Sequence, residues 1–134
     1  MRRLLPLFAL FACASVQDAI NEKALGTAEV HAVTEEQAWQ IARRVLRWEG
    51  ADAIEYDRPE HLMISSTGGD TGTVMACWVE PVDDEHTKVT IVTKRRYQLS
   101  LFTALTETTF QARFRQATRL LKSGPLPVAP PLLD

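Results

Sequence analysis

The sequence predicts an α+β domain, an antiparallel β-meander with two amphipathic helices packed on one face, in the order β-α-β-β-β-β-α. Three observations carry this. A capped amphipathic helix lies early in the chain, four short strand-like runs separated by turn residues follow it, and a long amphipathic stretch closes the domain. The first strand is expected over Thr27–Val33, where Val30 and Val33 alternate loosely with polar residues. Thr34-Glu35-Glu36-Gln37 then reads as a capping box, in which the threonine hydroxyl takes a free N–H and the glutamine reaches back to the cap. Ala38, Ile41, Ala42, Val45 and Leu46 fall on one face at helical spacing. Acidic Glu35 and Glu36 sit at the positive end of the helix dipole, Arg43, Arg44 and Arg47 nearer the negative end, and Gly50 suits the C′ position. The helix is therefore placed at 34–49.

Ala53–Asp57 and Leu62–Ser66 follow as short strands around Arg58-Pro59-Glu60. Gly68-Gly69-Asp70-Thr71-Gly72 is a turn by composition, Thr73–Val79 a strand, and Pro81-Val82-Asp83-Asp84-Glu85 a second turn. Thr87–Arg95 alternates cleanly, with Val89, Ile91 and Thr93 on one face. The final helix spans about Phe102 to Lys122, lined by Phe110, Phe114, Ala117 and Leu121, and Ser123-Gly124-Pro125 stops it. The Pro-rich tail, 124–134, is expected to be extended and mobile.

With 134 residues, 46% hydrophobic and 24% charged, the chain has the length and composition of one globular domain. Fifteen basic against 17 acidic side chains leave a net charge of −2, which argues against a general nucleic-acid binder. Two cysteines do not make a disulfide framework or a four-ligand zinc site.

The N-terminus carries the strongest functional signal. Met1-Arg2-Arg3 is a basic n-region, and Leu4 through Ala12 is an uncharged apolar run far too short to span a bilayer. The run ends in Leu10-Phe11-Ala12-Cys13. These four residues resemble the lipobox of bacterial lipoproteins, with Leu10, Ala12 and Cys13 matching in type and position. Phe11 departs from the smaller residue usual there. The resemblance implies that 1–12 is a lipoprotein-type signal peptide, cut before Cys13, and that the Cys13 thiol takes a diacylglycerol. Ala14 and Ser15 after the cysteine resemble the class sorted to the outer membrane. Processing would remove Arg2 and Arg3, leaving 122 residues with 13 basic and 17 acidic side chains. A domain of that charge is not drawn to an anionic membrane, so the acyl chains would do the anchoring. Residues 13–26 lack a clear period and are expected to form a tether, with the folded domain at 27–123.

No catalytic motif stands out. His31, His61 and His86 are scattered without metal-ligand spacing and read as surface or turn residues. Asp70-Thr71-Gly72 matches the triplet of aspartic proteases over three residues only, and the preceding Gly68-Gly69 makes a hairpin turn the better account. The same glycines form no phosphate loop, because a strand and not a helix follows. Cys77, between Ala76 and Trp78, reads as a small packed residue and a free thiol. Lys94-Arg95-Arg96, beside Tyr97, reads as a solvated strand end, with a lipid headgroup, a cell-wall acid or a protein as the alternative contact. Trp39, Trp48 and Trp78 read as core residues, with a ligand slot as the alternative.

The expected function is a membrane-anchored lipoprotein of the bacterial envelope, on the outer membrane facing the periplasm. It would serve as a non-enzymatic interaction or assembly module with an envelope protein as partner. No cofactor, metal or nucleic acid is implied, and the expected modified residue is Cys13. The alternatives are a small carrier of an apolar ligand or lipid, and a cytosolic domain with an unprocessed N-terminus. The helix–meander–helix order looks like that of several small lipoproteins of unassigned function, and loosely like the domains of outer-membrane assembly accessory lipoproteins.

Overall fold

The computed structural model describes residues 16–67, 72–95 and 101–133. The lipobox with Cys13, the turn residues Gly68 to Thr71, and Arg96 with Tyr97 lie outside them. The fold is α+β. Five strands, β1 (Thr27–His31), β2 (Ala53–Asp57), β3 (Leu62–Thr67), β4 (Thr73–Asp83) and β5 (His86–Arg95), form one antiparallel sheet. Its spatial order is β1-β5-β4-β3-β2. Strands β2 to β5 are a meander, and β1 closes the far side by pairing Thr27 with Ile91 and His31 with Thr87. Helical residues 16–21 (α1) precede β1, while α2 (Glu35–Trp48) and α3 (Leu101–Leu121) both pack on the front of the sheet.

Helix α2 begins as its sequence dictates. Thr34 accepts from the Gln37 N–H at 3.2 Å, and the Gln37 side chain accepts from the Thr34 N–H at 3.0 Å. It ends at Gly50, whose φ of +99° is open to glycine at little cost. Ile41, Ala42, Val45 and Leu46 meet Met63, Met75, Cys77, Val79, Val89 and Ile91 from the sheet and Phe110, Phe114 and Ala117 from α3. All of these side chains are buried, and this front layer is the main core.

The rear of the sheet is not bare. Ala19 of α1 is fully buried against Leu62, Val74, Ala76, Trp78 and Val92, with Val16, Ile20 and Ile64 at the margin. The expected tether over 13–26 therefore gives way, from residue 16 onward, to a packed helical turn. Val16, Ala19 and Ile20 stand at i, i+3 and i+4, so one turn suffices to put all three on the sheet.

Other boundaries shift for local reasons. Strand β1 stops at His31, because the Val33 N–H turns back to the His31 carbonyl at 2.9 Å before the cap. Strand β4 runs through Pro81 to Asp83, where a turn had been expected. Its pairing with β3 ends at Trp78 opposite Leu62, so Pro81 has a neighbour only on β5, where a bulge accommodates it. Asp84 and Glu85 form the hairpin turn, which Asp83 Oδ1 holds by accepting from the Glu85 N–H at 2.8 Å.

The Pro-rich tail is extended but docked. Trp48 Nε1 donates to the Pro127 carbonyl at 3.2 Å, Arg113 Nη1 to Pro131 at 3.2 Å, and Gln116 Nε2 to Leu132 at 2.6 Å. Leu126 packs against the front core. The expectation of mobility fails because indole, guanidinium and carboxamide groups on α2 and α3 meet carbonyls that a proline-rich segment leaves unpaired.

Candidate functional site

A groove bounded by described residues lies where α2 passes the edge strand β2. It encloses about 600 Å³, is open to solvent, and is lined by Glu36, Gln37, Trp39, Gln40, Arg43, Tyr56 and Arg58. Helix α2 supplies one wall through residues a turn apart, and β2 with the short turn Arg58–Glu60 supplies the other.

Trp39 is the centre of the arrangement. It is only 3% exposed, its inner face belongs to the core, and its indole N–H donates to Glu35 Oε2 at 3.2 Å. The Arg58 guanidinium lies 4.2 Å from the Trp39 ring centroid, a cation–π contact, and its Nη1 meets Glu36 Oε2 at 3.1 Å. Tyr56 tilts toward Trp39 with ring centroids 6.1 Å apart, yet is 45% exposed. His61 ends the turn in the left-handed region, φ +56°, with Nδ1 3.3 Å from the same Glu35 oxygen. An aromatic wall with guanidinium and amide groups around it suits recognition of a partner.

A second polar cluster is buried where α3 crosses β1 and β5. Gln111 Nε2 donates to the Thr27 and Val89 carbonyls at 2.9 and 3.0 Å. Its Oε1 is 2.9 Å from His31 Nε2, so that nitrogen carries the proton. One turn earlier, Glu107 accepts from the Thr93 N–H at 2.8 Å and the Thr27 hydroxyl at 2.9 Å. Burial holds the His31 imidazole below its ordinary pKa, against the opposing pull of Gln111 and Glu29. Burial also raises the Glu107 carboxyl above its ordinary value, with the Thr93 and Thr27 donors working the other way. At the far end of α2, burial raises Glu49 despite its ion pair with Arg113 Nε at 3.0 Å. These groups tie α3 to the sheet and to α2, and none lines the groove.

The residues singled out from sequence are dispersed. His31 is a core residue, 4% exposed and 4.2 Å from the Phe114 ring, which corrects its reading as a surface or turn residue. It is buried because β1 turns it inward against α3. His61 does sit in a turn, and His86 is a surface residue at the start of β5, beside Asp83 at 2.9 Å. Cys77 is a buried free thiol, its pKa pushed far up by burial. Lys94 is paired with Glu22 at 2.8 Å. Trp39, Trp48 and Trp78 are all buried, and Trp39 also walls the groove. Among the described residues no group of three or more His, Cys, Asp or Glu could hold a metal ion, and no helix is long and apolar enough to cross a membrane.

Sequence reasoning missed Tyr56, Arg58, Glu107 and Gln111. The last two had a signal, since both are polar yet Glu107 lies three residues before Phe110 and Gln111 one after it, on the face of α3 that turns inward. Tyr56 and Arg58 had none, because only the tertiary fold brings them to Trp39. Comparison with protein-family models and with curated proteins finds no match for the chain.

Proposed function

We propose that the chain is a lipid-anchored interaction module of the bacterial envelope, held on the outer membrane through Cys13 and engaging a protein partner through the groove between α2 and β2. The observation that carries the binding reading is this groove. It joins a half-exposed tyrosine, a tryptophan covered by an arginine, and the free side of an edge strand. The basic n-region, the short apolar run and Leu10-Phe11-Ala12-Cys13 support the anchor.

The docked α1 sharpens that picture. Only three residue steps separate Cys13 from Val16, a reach of at most about 11 Å. An acylated Cys13 would hold the domain close to the bilayer. The alternative of an apolar-ligand carrier has less support. The space between the sheet and α3, where a slot would lie, is filled by Phe110, Phe114 and Ala117, all fully buried.

Two measurements test the proposal. Intact mass of the full chain from a Gram-negative host, beside Cys13→Ser, should show loss of residues 1–12 and gain of acyl chains only in the wild type. An unmodified full-length mass would favour the cytosolic alternative. A photo-crosslinking residue in place of Tyr56 should capture one envelope protein reproducibly, and the same residue in place of the exposed Val128 should not. Equal capture from both positions would remove the groove from the account.

A further inference from the structure

We infer that the β2 edge accepts an extended partner strand in which lysine or arginine alternates with apolar or aromatic residues, an inference that rests on the groove being the binding surface. Strand β2 is the last in the sheet order and, among the described residues, pairs only with β3, so its outer side has no partner strand among them. Its side chains divide sharply by face. Ile54 and Tyr56 lie on the front, Ile54 against the core and Tyr56 opposite Met63 and beside Trp39. Glu55 and Asp57 lie on the rear, opposite Ile64 and Leu62, and both are exposed. Among the described residues neither carboxylate has a cation in ion-pair contact.

An added strand would present its side chains to the same two faces. On the rear it would set every second residue beside Glu55 and Asp57, where a cation is attracted and an anion repelled. On the front it would set the intervening residues beside Tyr56 and the mouth of the Trp39 groove, where an apolar or aromatic side chain gains contact. The charges also argue against a second copy of the chain as the occupant. Antiparallel pairing of β2 with itself at full overlap places Glu55 opposite Glu55. The opposite edge is less available, because α3 engages β1 through Gln111 on the Thr27 carbonyl, His31 on Gln111, and Arg115 on Glu29 at 2.6 Å.

The test uses the full chain, isotope-labelled, with three synthetic peptides. In one, lysine alternates with valine and tyrosine; in the second, glutamate replaces lysine; the third has the first composition with its lysines grouped. The alternating basic peptide should shift the amide resonances of Ala53–Asp57 and slow hydrogen exchange at alternate positions along β2. Raised salt should weaken it. Glu55→Lys with Asp57→Lys, both on exposed positions and checked for an unchanged melting temperature, should weaken binding about tenfold or more. Equal binding of the acidic or grouped peptide, or shifts that spare β2, would overturn the inference. Capture of an envelope protein through position 56, with no peptide protection of β2, would overturn the strand mode and leave the interaction module standing. Failure of that capture would instead remove the reading on which this one rests.

Discussion

Replacing Gln111 by leucine removes the carboxamide that joins α3 to two strands while keeping nearly the same volume. Gln111 is 2% exposed and makes three hydrogen bonds, from its Nε2 to the Thr27 and Val89 carbonyls and from His31 Nε2 to its Oε1. A buried hydrogen bond contributes about 1 kcal/mol net, so the three together contribute about 3 kcal/mol. The extra apolar surface of leucine returns about 1 kcal/mol, but the His31 N–H is left buried without an acceptor, which costs about as much again. The expected loss is about 3 kcal/mol, a large part of the roughly 5–15 kcal/mol typical of a domain. Urea unfolding followed by fluorescence of the buried tryptophans reads it, with the midpoint falling and the slope unchanged. Adding His31→Phe removes the stranded donor, so the double variant should lose about 1 kcal/mol less than the two single losses combined. A loss under about 1 kcal/mol, or strict additivity with His31→Phe, would show that this network does not hold α3 to the sheet.

Four further outcomes are expected. Gly26→Ala should destabilise by about 2 kcal/mol or more, because a Cβ there would stand 2.6 Å from Val92 Cγ2 and 2.7 Å from the Ile91 carbonyl oxygen; Val92→Ala should rescue it only in part, since the backbone clash remains. Thr34→Ala removes the cap of α2 and should cost about 1 kcal/mol in the same unfolding assay. His31 is held below its ordinary 6.5 in the fold, so the unfolded chain binds the proton first and stability falls as pH drops below 6.5. Glu49 and Glu107 are held above their ordinary 4.5, so they act in the opposite sense and return stability as pH falls toward 4.5; urea midpoints across this range should show the first limb flattened in His31→Gln and the second retained. Cys77 should resist thiol reagents in the folded protein and react once in denaturant, so labelling at the same rate in both states would contradict its burial.

The parts of the fold legible in the sequence were those whose cause is local. The capping box at Thr34 and Gln37, the five apolar residues of α2 at helical spacing, and the alternation in β5 each act within one element. The meander followed from turn residues between short strands. What escaped was written in tertiary contacts. One turn of α1 is too short to show a period, and its apolar residues matter only because the rear of the sheet is apolar and they pack on it. The tail looked free because its anchors, Trp48, Arg113 and Gln116, lie on helices far from it in sequence. The groove was invisible for the same reason. Trp39 was legible as a core residue, but its second role depends on β2 lying beside α2 and on Arg58 folding back across the indole.

The pairing of β1 with β5 sets an order of events for the chain. Strands β2 to β5 are joined by short connections and meet their neighbours soon after they emerge. Thr27, by contrast, has nothing to pair with until Ile91 has been made, and the surface that Ala19 covers is complete only when Val92 joins Leu62, Val74, Ala76 and Trp78. The segment is thus made before the strand it needs and is among the last to be fixed, since closing so long a loop must wait for the rest of the sheet. A chain cut anywhere before β5 would leave Thr27–His31 without its partner strand, so the pairing of β1 with β5 is what closes the sheet.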